Sequence, residues 1–193
     1  MTPNGCISNG YSMKIIDLKA EHHIQQAANL LVIAFAEHWA GSWDTLADGL
    51  QEVHDILNEN ESICRVAVDN QDVVLGWIGG LVQYGGHVYE LHPLAVDPAQ
   101  HGKGIGKALV QDFEAIVRQK GASTILLGSD DQDEMTSLSQ VDLYDNPWEH
   151  IANIQNFKRH PYEFYQKLGF KIVGVIPDAN GYRKPDILMA KRV

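Results

Sequence analysis

The stretch His92–Val110, HPLAVDPAQHGKGIGKALV, joins an apolar run to a proline-containing turn, then places glycines at 102, 104 and 106 where a helical pattern begins. Glycine costs about 1 kcal/mol relative to alanine inside a helix, so glycines at a helix mouth point to a need for bare backbone. In that position they bring unshielded N–H groups close to a ligand. The helix start adds orphan donors and a partial positive charge, which together bind anions such as pyrophosphate. Lys103 and Lys107 contribute longer-range attraction. Two familiar nucleotide signatures do not fit. There is no GxxxxGK followed by Ser or Thr, and a dinucleotide-binding unit carries its glycines after the first strand of the fold. Here they lie in mid-chain, after a hairpin and a fourth strand.

Outward from this segment, MKIIDL reads as a first strand and His22–His38 as a helix with Ile24, Ala27, Leu31, Ala34 and Phe35 on one face. A second helix is expected from about Thr45, with Asp44 as a possible N-cap and Leu46, Leu50, Val53 and Leu57 along one side. ICRVAV and VVLGWIGGLVQY form a hairpin, and Val88–Val96 follows as the fourth strand. Pro93 cannot donate a ladder hydrogen bond, so that strand is expected to splay or bulge there. Gly104–Lys120 carries the clearest helical periodicity, with Gly121 placed to end it. STILLGS, FKIVGVI and DILMAKRV supply further strands, a short helix starts at Pro161, and residues 130–160 read as irregular. The fold class is α/β: a mixed, mostly antiparallel sheet of six to seven strands flanked by helices. Residues 1–12 are expected to be a flexible extension and 13–193 a single domain.

In 193 residues, acids outnumber Lys and Arg by 25 to 15, for a net charge of -10. That balance argues against nucleic acid as a partner and favours a cationic ligand. Cys6 and Cys64 make no disulfide framework, which implies a reducing, cytoplasmic setting. No run approaches the length of a membrane span, and the opening MTPNGCISNGYS lacks a signal-peptide layout. The histidines form no HExxH or other ligand pattern; His22 and His23 are merely adjacent on a helix, so no metal is expected.

The mid-chain motif resembles the acetyl-coenzyme A site of GNAT N-acetyltransferases, which carry Gln or Arg, two residues, Gly, one residue and Gly or Ala before the main helix. HGKGIG departs only at its first position, where His101 stands. The resemblance implies cofactor contacts from Leu94, Ala95 and Val96, and from His101, Gly102, Lys103, Gly104, Ile105, Gly106 and Lys107. PYEFYQKLGFKIVG resembles the family's late helix and strand, and Tyr165 falls where a tyrosine donates to the departing thiolate or touches the cofactor sulfur. More closely, YELHPLAVDP, GSDDQDEMTSLS, HPYEFYQKLGFKIVGVIPDANG and RKPDILMAKR are similar to aminoglycoside 6′-N-acetyltransferases. That likeness implies acetyl transfer to a 6′-amine, antibiotic resistance and a homodimer, for which VDLY offers spare apolar material.

An ammonium has no lone pair, so a carboxylate must take its proton before it attacks a thioester. Between Gly128 and His150 lie seven acids and no Lys or Arg, with Tyr144 and Trp148 among them to carry a sugar ring. Asp130, at the end of STILLGS, is the expected base or amine anchor, with Asp131, Asp133 and Asp145 as cation contacts. Glu90 is the rival base and His92 a possible relay. Glu37, Trp39, Trp43 and Asp44 are expected to form one wall of the acceptor site. Cys64 sits in an apolar strand without a histidine partner, so transfer is expected directly, in a ternary complex. The alternatives are a polyamine, protein amine or other small cationic acceptor, and a coenzyme A-binding sensor without activity.

Overall fold

The computed structural model describes residues 7–8, 11–39 and 41–193. Most of the extension expected over 1–12, with Cys6, lies outside the described residues; within it, Ile7–Ser8 (β1) pairs antiparallel with the start of Tyr11–Asp17 (β2). The chain divides into two compact units, residues 1–122 and 123–193. Among the described residues, no helix is long and apolar enough to cross a membrane.

In the first unit, β2 leads into Glu21–Phe35 (α1) and Leu46–Asn58 (α2), then Ile63–Asp69 (β3), Val74–Gln83 (β4), Val88–Val96 (β5) and Ile105–Gln119 (α3). Strands β1 to β5 pair in sequence order, each antiparallel to the next. Side chains alternate across β4. Trp77 points into a core with Leu31, Val53 and Ile56 from α1 and α2. On the other face, a Cβ at Gly80 would collide with the ring of Phe113 from α3. The helices therefore cover both sides of β4.

The strand expected fourth is β5, because β1 precedes it. Its pairing is irregular where Pro93 predicts: Ile78 pairs with Leu94 but Gly80 with Leu91, so two steps on β4 face three on β5. The extra residue lies at the cis His92–Pro93 peptide. Gly79 sits opposite, and a Cβ there would run into the His92 carbonyl oxygen. Helix α2 is capped by Thr45 rather than Asp44. The Thr45 hydroxyl accepts from Asp48 N, and Asp48 reaches back to Thr45 N in a capping box. Asp44 instead accepts from Gly41 N at 2.9 Å.

The second unit contains Thr124–Asp130 (β6), Pro147–Ala152 (α4), Tyr162–Lys167 (α5), Lys171–Ile176 (β7) and Asp186–Arg192 (β8). β8 lies between β6 and β7 and runs antiparallel to both. Residues 130–160 are more ordered than their polarity implies. Pro147, at a first helical turn where its missing N–H costs nothing, starts α4. Thr136 and Asn156 form an isolated bridge across the segment.

Candidate active site

The glycine-rich helix start is open. Gly102 and Gly104 have φ of 78° and 84°, the left-handed region where a Cβ is strained. Both are exposed, and a Cβ at Gly102 would meet nothing within 4 Å. Gly104 is the N-cap of α3, so helix geometry leaves the N–H groups of Ile105, Gly106 and Lys107 without an intrahelical acceptor. The approach is held by its own turn: Asp97 accepts from Ala99 N at 2.9 Å, and His101 Nε2 lies 3.2 Å from Val96 O. His101 thus folds back onto the strand end. Bare, outward amides at the positive end of a fifteen-residue helix fit a diphosphate.

Strand β5 carries two chemically distinct faces. Tyr89, Leu91, Pro93 and Ala95 are buried, whereas Glu90, His92, Leu94 and Val96 share the half-buried face. Glu90 accepts a hydrogen bond from Gln83 Nε2 at 3.0 Å. His92 Nε2 lies 3.1 Å from an oxygen of Glu52 on α2, whose other oxygen accepts from Trp43 Nε1 at 3.2 Å. The His92 hydrogen bond, ahead of the opposing effect of burial, holds the Glu52 carboxyl below its usual range. Trp43 packs edge-on against Phe35 at 4.8 Å and lies 6.1 Å from the His92 ring; Trp39 lies 5.4 Å from Phe35. The structure therefore brings Trp39 and Trp43 together at Phe35 and sets His92 beside Trp43, while Glu37 lies exposed just past the end of α1, beside His38.

A hollow of about 450 Å³ opens next to this cluster, lined by Trp43, Asp44, Asp48, Gln51, Glu52 and Asp55, among others. Of these, Asp48, Glu52 and Asp55 lie on the face of α2 opposite the apolar side that marks the helix in the sequence. A signal was present: acids at 44, 48, 52 and 55 recur at helical spacing along one stripe.

In the second unit, Asp130 and Asp131 separate cleanly. Asp131 is fully buried, and its carboxylate accepts from Met135 N, Thr136 N, Thr136 Oγ1 and Ser139 Oγ at 2.6–2.9 Å. It anchors the turn from inside, which leaves it without an approach for the amine expected there. Asp130, half-buried at the end of β6, accepts from Asn180 Nδ2 at 2.6 Å. Its carbonyl oxygen lies 3.1 Å from His160 Nε2, while His160 Nδ1 accepts from Tyr162 N at 3.2 Å. Those partners require the neutral Nε2–H tautomer, and burial, its largest influence, lowers the His160 pKa accordingly. Asn180 and His160 are further site residues that sequence reasoning missed. Asp133 lies 3.7 Å from Lys158 Nζ, and Asp145, Tyr144 and Trp148 are exposed.

Tyr165 on α5 is buried between Phe164 and Phe170, with ring centroids 5.1 and 5.6 Å away. Burial pushes its hydroxyl pKa well above the ordinary tyrosine value, so it stays protonated. The hydroxyl has no hydrogen-bond partner among the described residues. Cys64 is also buried, which pushes its thiol up to about 12.

The model of the acetyltransferase (GNAT) family matches residues 24–139. A solved aminoglycoside 6′-N-acetyltransferase complexed with coenzyme A is 43% identical over 93% of this chain and 96% of its own, with a TM-score of 0.83. The aminoglycoside 6′-N-acetyltransferase from Enterococcus faecium is also 43% identical over 93% and 96%, with a TM-score of 0.80. Aminoglycoside 6′-acetyltransferase type Ii is 36% identical over the same shares, 93% and 96%, with a TM-score of 0.68. Among curated proteins no match was found.

Proposed function

This chain belongs to the GNAT family of acetyltransferases, and from that premise we propose that it transfers an acetyl group from acetyl-coenzyme A to the 6′-amine of an aminoglycoside, conferring resistance to such antibiotics. The observation that carries this is the 43% identity, over 93% of the chain, with a protein of that activity crystallised with coenzyme A. The open helix start supports the same donor. The family match runs from residue 24 to 139, across the boundary between the two units at 122, which supports reading 13–193 as one acetyltransferase domain.

Acetyl-coenzyme A supplies an activated acetyl thioester. The chain's part is to hold it, to deliver a neutral amine and to help the thiolate leave. The N–H groups of Ile105, Gly106 and Lys107 grip the diphosphate, with the exposed glycines allowing its approach. Amide donors near Leu94, just past the interruption of β5, polarise the carbonyl. Asp130 or Glu90 takes the proton that frees the amine lone pair, and His92, steadied by Glu52, relays it from the Glu90 face. Tyr165 donates a hydrogen bond to the departing sulfur. A buried phenol that remains protonated is suited to this, although its raised pKa makes complete transfer of the proton uphill. Cys64, held as a thiol, supports direct attack in a ternary complex over an acetyl-enzyme.

The acceptor class is supported by charge. Asp44, Asp48, Glu52 and Asp55 around Trp43 attract ammonium groups while the indole covers a sugar face. The acidic segment with Tyr144 and Trp148 offers the same combination. A homodimer and a cytoplasmic location complete the reading, with nucleic acid disfavoured by the net charge of -10. Leu143 is buried and Val141 half-buried, so Tyr144 is the exposed apolar residue that VDLY offers a partner copy. The test is thiol release by the purified chain with kanamycin or tobramycin, set against a polyamine. Release dependent on the aminoglycoside is expected. Release only with the polyamine would move the acceptor, and coenzyme A binding without amine-dependent release would leave a sensor.

A further inference from the structure

We propose that His22, His23 and Asp72 form a binding site for a divalent transition-metal ion, zinc by preference, outside the acetyl-transfer machinery. The two histidines stand in the first turn of α1, and Asp72 projects from the turn between β3 and β4. His22 Nε2 lies 2.8 Å and His23 Nε2 3.2 Å from the same oxygen, Asp72 Oδ2. One ligand atom from each residue falls within a 4.8 Å sphere of separations. In a tetrahedral zinc site with bonds of 2.0–2.2 Å, neighbouring ligand atoms are about 3.3 Å apart. The two histidine–carboxylate separations, 2.8 and 3.2 Å, are close to that already.

His23 separates this from an ordinary surface cluster. It is 4% exposed, and neither ring nitrogen makes a hydrogen bond, although Nε2 points toward the carboxylate. A buried imidazole whose one polar neighbour, Asp72, is not aligned for a hydrogen bond carries a desolvation cost that a metal–nitrogen bond would offset. Of the two imidazoles that converge on Asp72 Oδ2, His22 makes a hydrogen bond to it and His23 does not. An ion set between the three atoms accepts a lone pair from each. Imidazole and carboxylate together suit zinc over magnesium or calcium.

The surroundings preorganise the trio. Asp69 Oδ1 accepts from Gln71 N at 2.8 Å and Val73 N at 3.0 Å, closing the turn that presents Asp72. Gln26, one helical turn beyond the histidines, accepts from Val74 N at 2.9 Å and so ties α1 to that turn. Lys14 Nζ lies 3.9 Å from the other carboxylate oxygen, Oδ1, leaving Oδ2 to the ion. Bound metal would clip α1 to the β3–β4 turn. Adjacent histidines alone do not announce such a site, because the third ligand lies 49 residues beyond His23.

The experiment uses the full chain, freed of any affinity tag, with zinc chloride alone. After equilibrium dialysis, one zinc per chain is expected, falling below about a tenth in His23→Gln and in Asp72→Asn and unchanged in His54→Gln. Saturating zinc is expected to raise Tm by about 5 °C in the natural chain and in His54→Gln only. Cobalt titrated into the natural chain provides a readout that needs no variant, through visible bands of nitrogen and oxygen coordination. Absence of zinc and of cobalt bands in the natural chain would overturn the proposal. So would zinc retained equally by all the variants, which would put it elsewhere.

Discussion

Gly104→Ala adds one methyl group at the N-cap of α3, where φ is 84° and ψ is 4°. A left-handed conformation costs an L-residue about 1–2 kcal/mol, and restricting the unfolded chain returns about 0.4–1 kcal/mol. The net loss of about 1 kcal/mol lowers Tm by about 2–4 °C for a chain of this length. Gly121→Ala is the matched control. Its φ of 83° imposes the same strain at the far end of the same helix, and its Cβ meets nothing within 4 Å. The two variants are therefore expected to melt alike. They part in coenzyme A binding: the new methyl at 104 stands beside the amides of Ile105 and Gly106, and about 1.4 kcal/mol of lost contact there is a tenfold weaker Kd. Calorimetric titration with coenzyme A checks this, with about a tenfold loss for Gly104→Ala and less than about twofold for Gly121→Ala. Equal affinity in the two variants would refute the assignment of these donors to the diphosphate.

The neighbouring aspartates give a second contrast. Asp131→Asn leaves buried donors unpaired and is expected to cost about 3 kcal/mol, seen as a Tm drop of about 6–12 °C. Asp130→Asn is expected to cut turnover about 100-fold while sparing coenzyme A affinity; full turnover would move the base to Glu90. The Glu52 carboxyl is held below its ordinary range chiefly by His92, so the stability it lends is complete above that range and disappears as pH falls through its folded pKa. In paired melts, the deficit of Glu52→Gln is therefore expected at pH 7 and gone at lower pH, and a deficit unchanged with acidity would contradict it. A Cys64 thiol pushed up to about 12 is expected to resist iodoacetamide at pH 8, and Cys64→Ala to keep turnover within about twofold. Tyr165→Phe is expected to slow turnover by about tenfold or more, and an unchanged rate would reduce Tyr165 to packing.

What the sequence made legible was whatever depends on local periodicity and on residues with fixed backbone demands. Ile105, Leu109, Phe113 and Val117 mark the buried face of α3 because their spacing is helical. Pro93 marks the irregular pairing of β5 because it cannot donate to a ladder. The cap of α2 was one residue off, since Asp44 and Thr45 are both good N-caps and the reciprocal bond from Asp48 decides between them. Helix α4, six residues long, is too short for a period. The roles of Asp130 and Asp131 could not be separated along the chain. The difference lies in Thr136 and Ser139, whose hydroxyls converge on Asp131 only after the segment folds back. The acidic spacing along α2 marked Glu52 as a member of a stripe but not its contacts. Its partners Trp43 and His92 come from a loop and a strand, and only packing brings the three together.

The central claim is most directly tested on the product. The purified chain, acetyl-coenzyme A and kanamycin are incubated to completion, and the position of the new acetyl group is read by NMR. One acetyl group per drug molecule is expected, on the 6′ nitrogen. Acetyl on a different amine, or no acetylated product while coenzyme A remains bound, would contradict it.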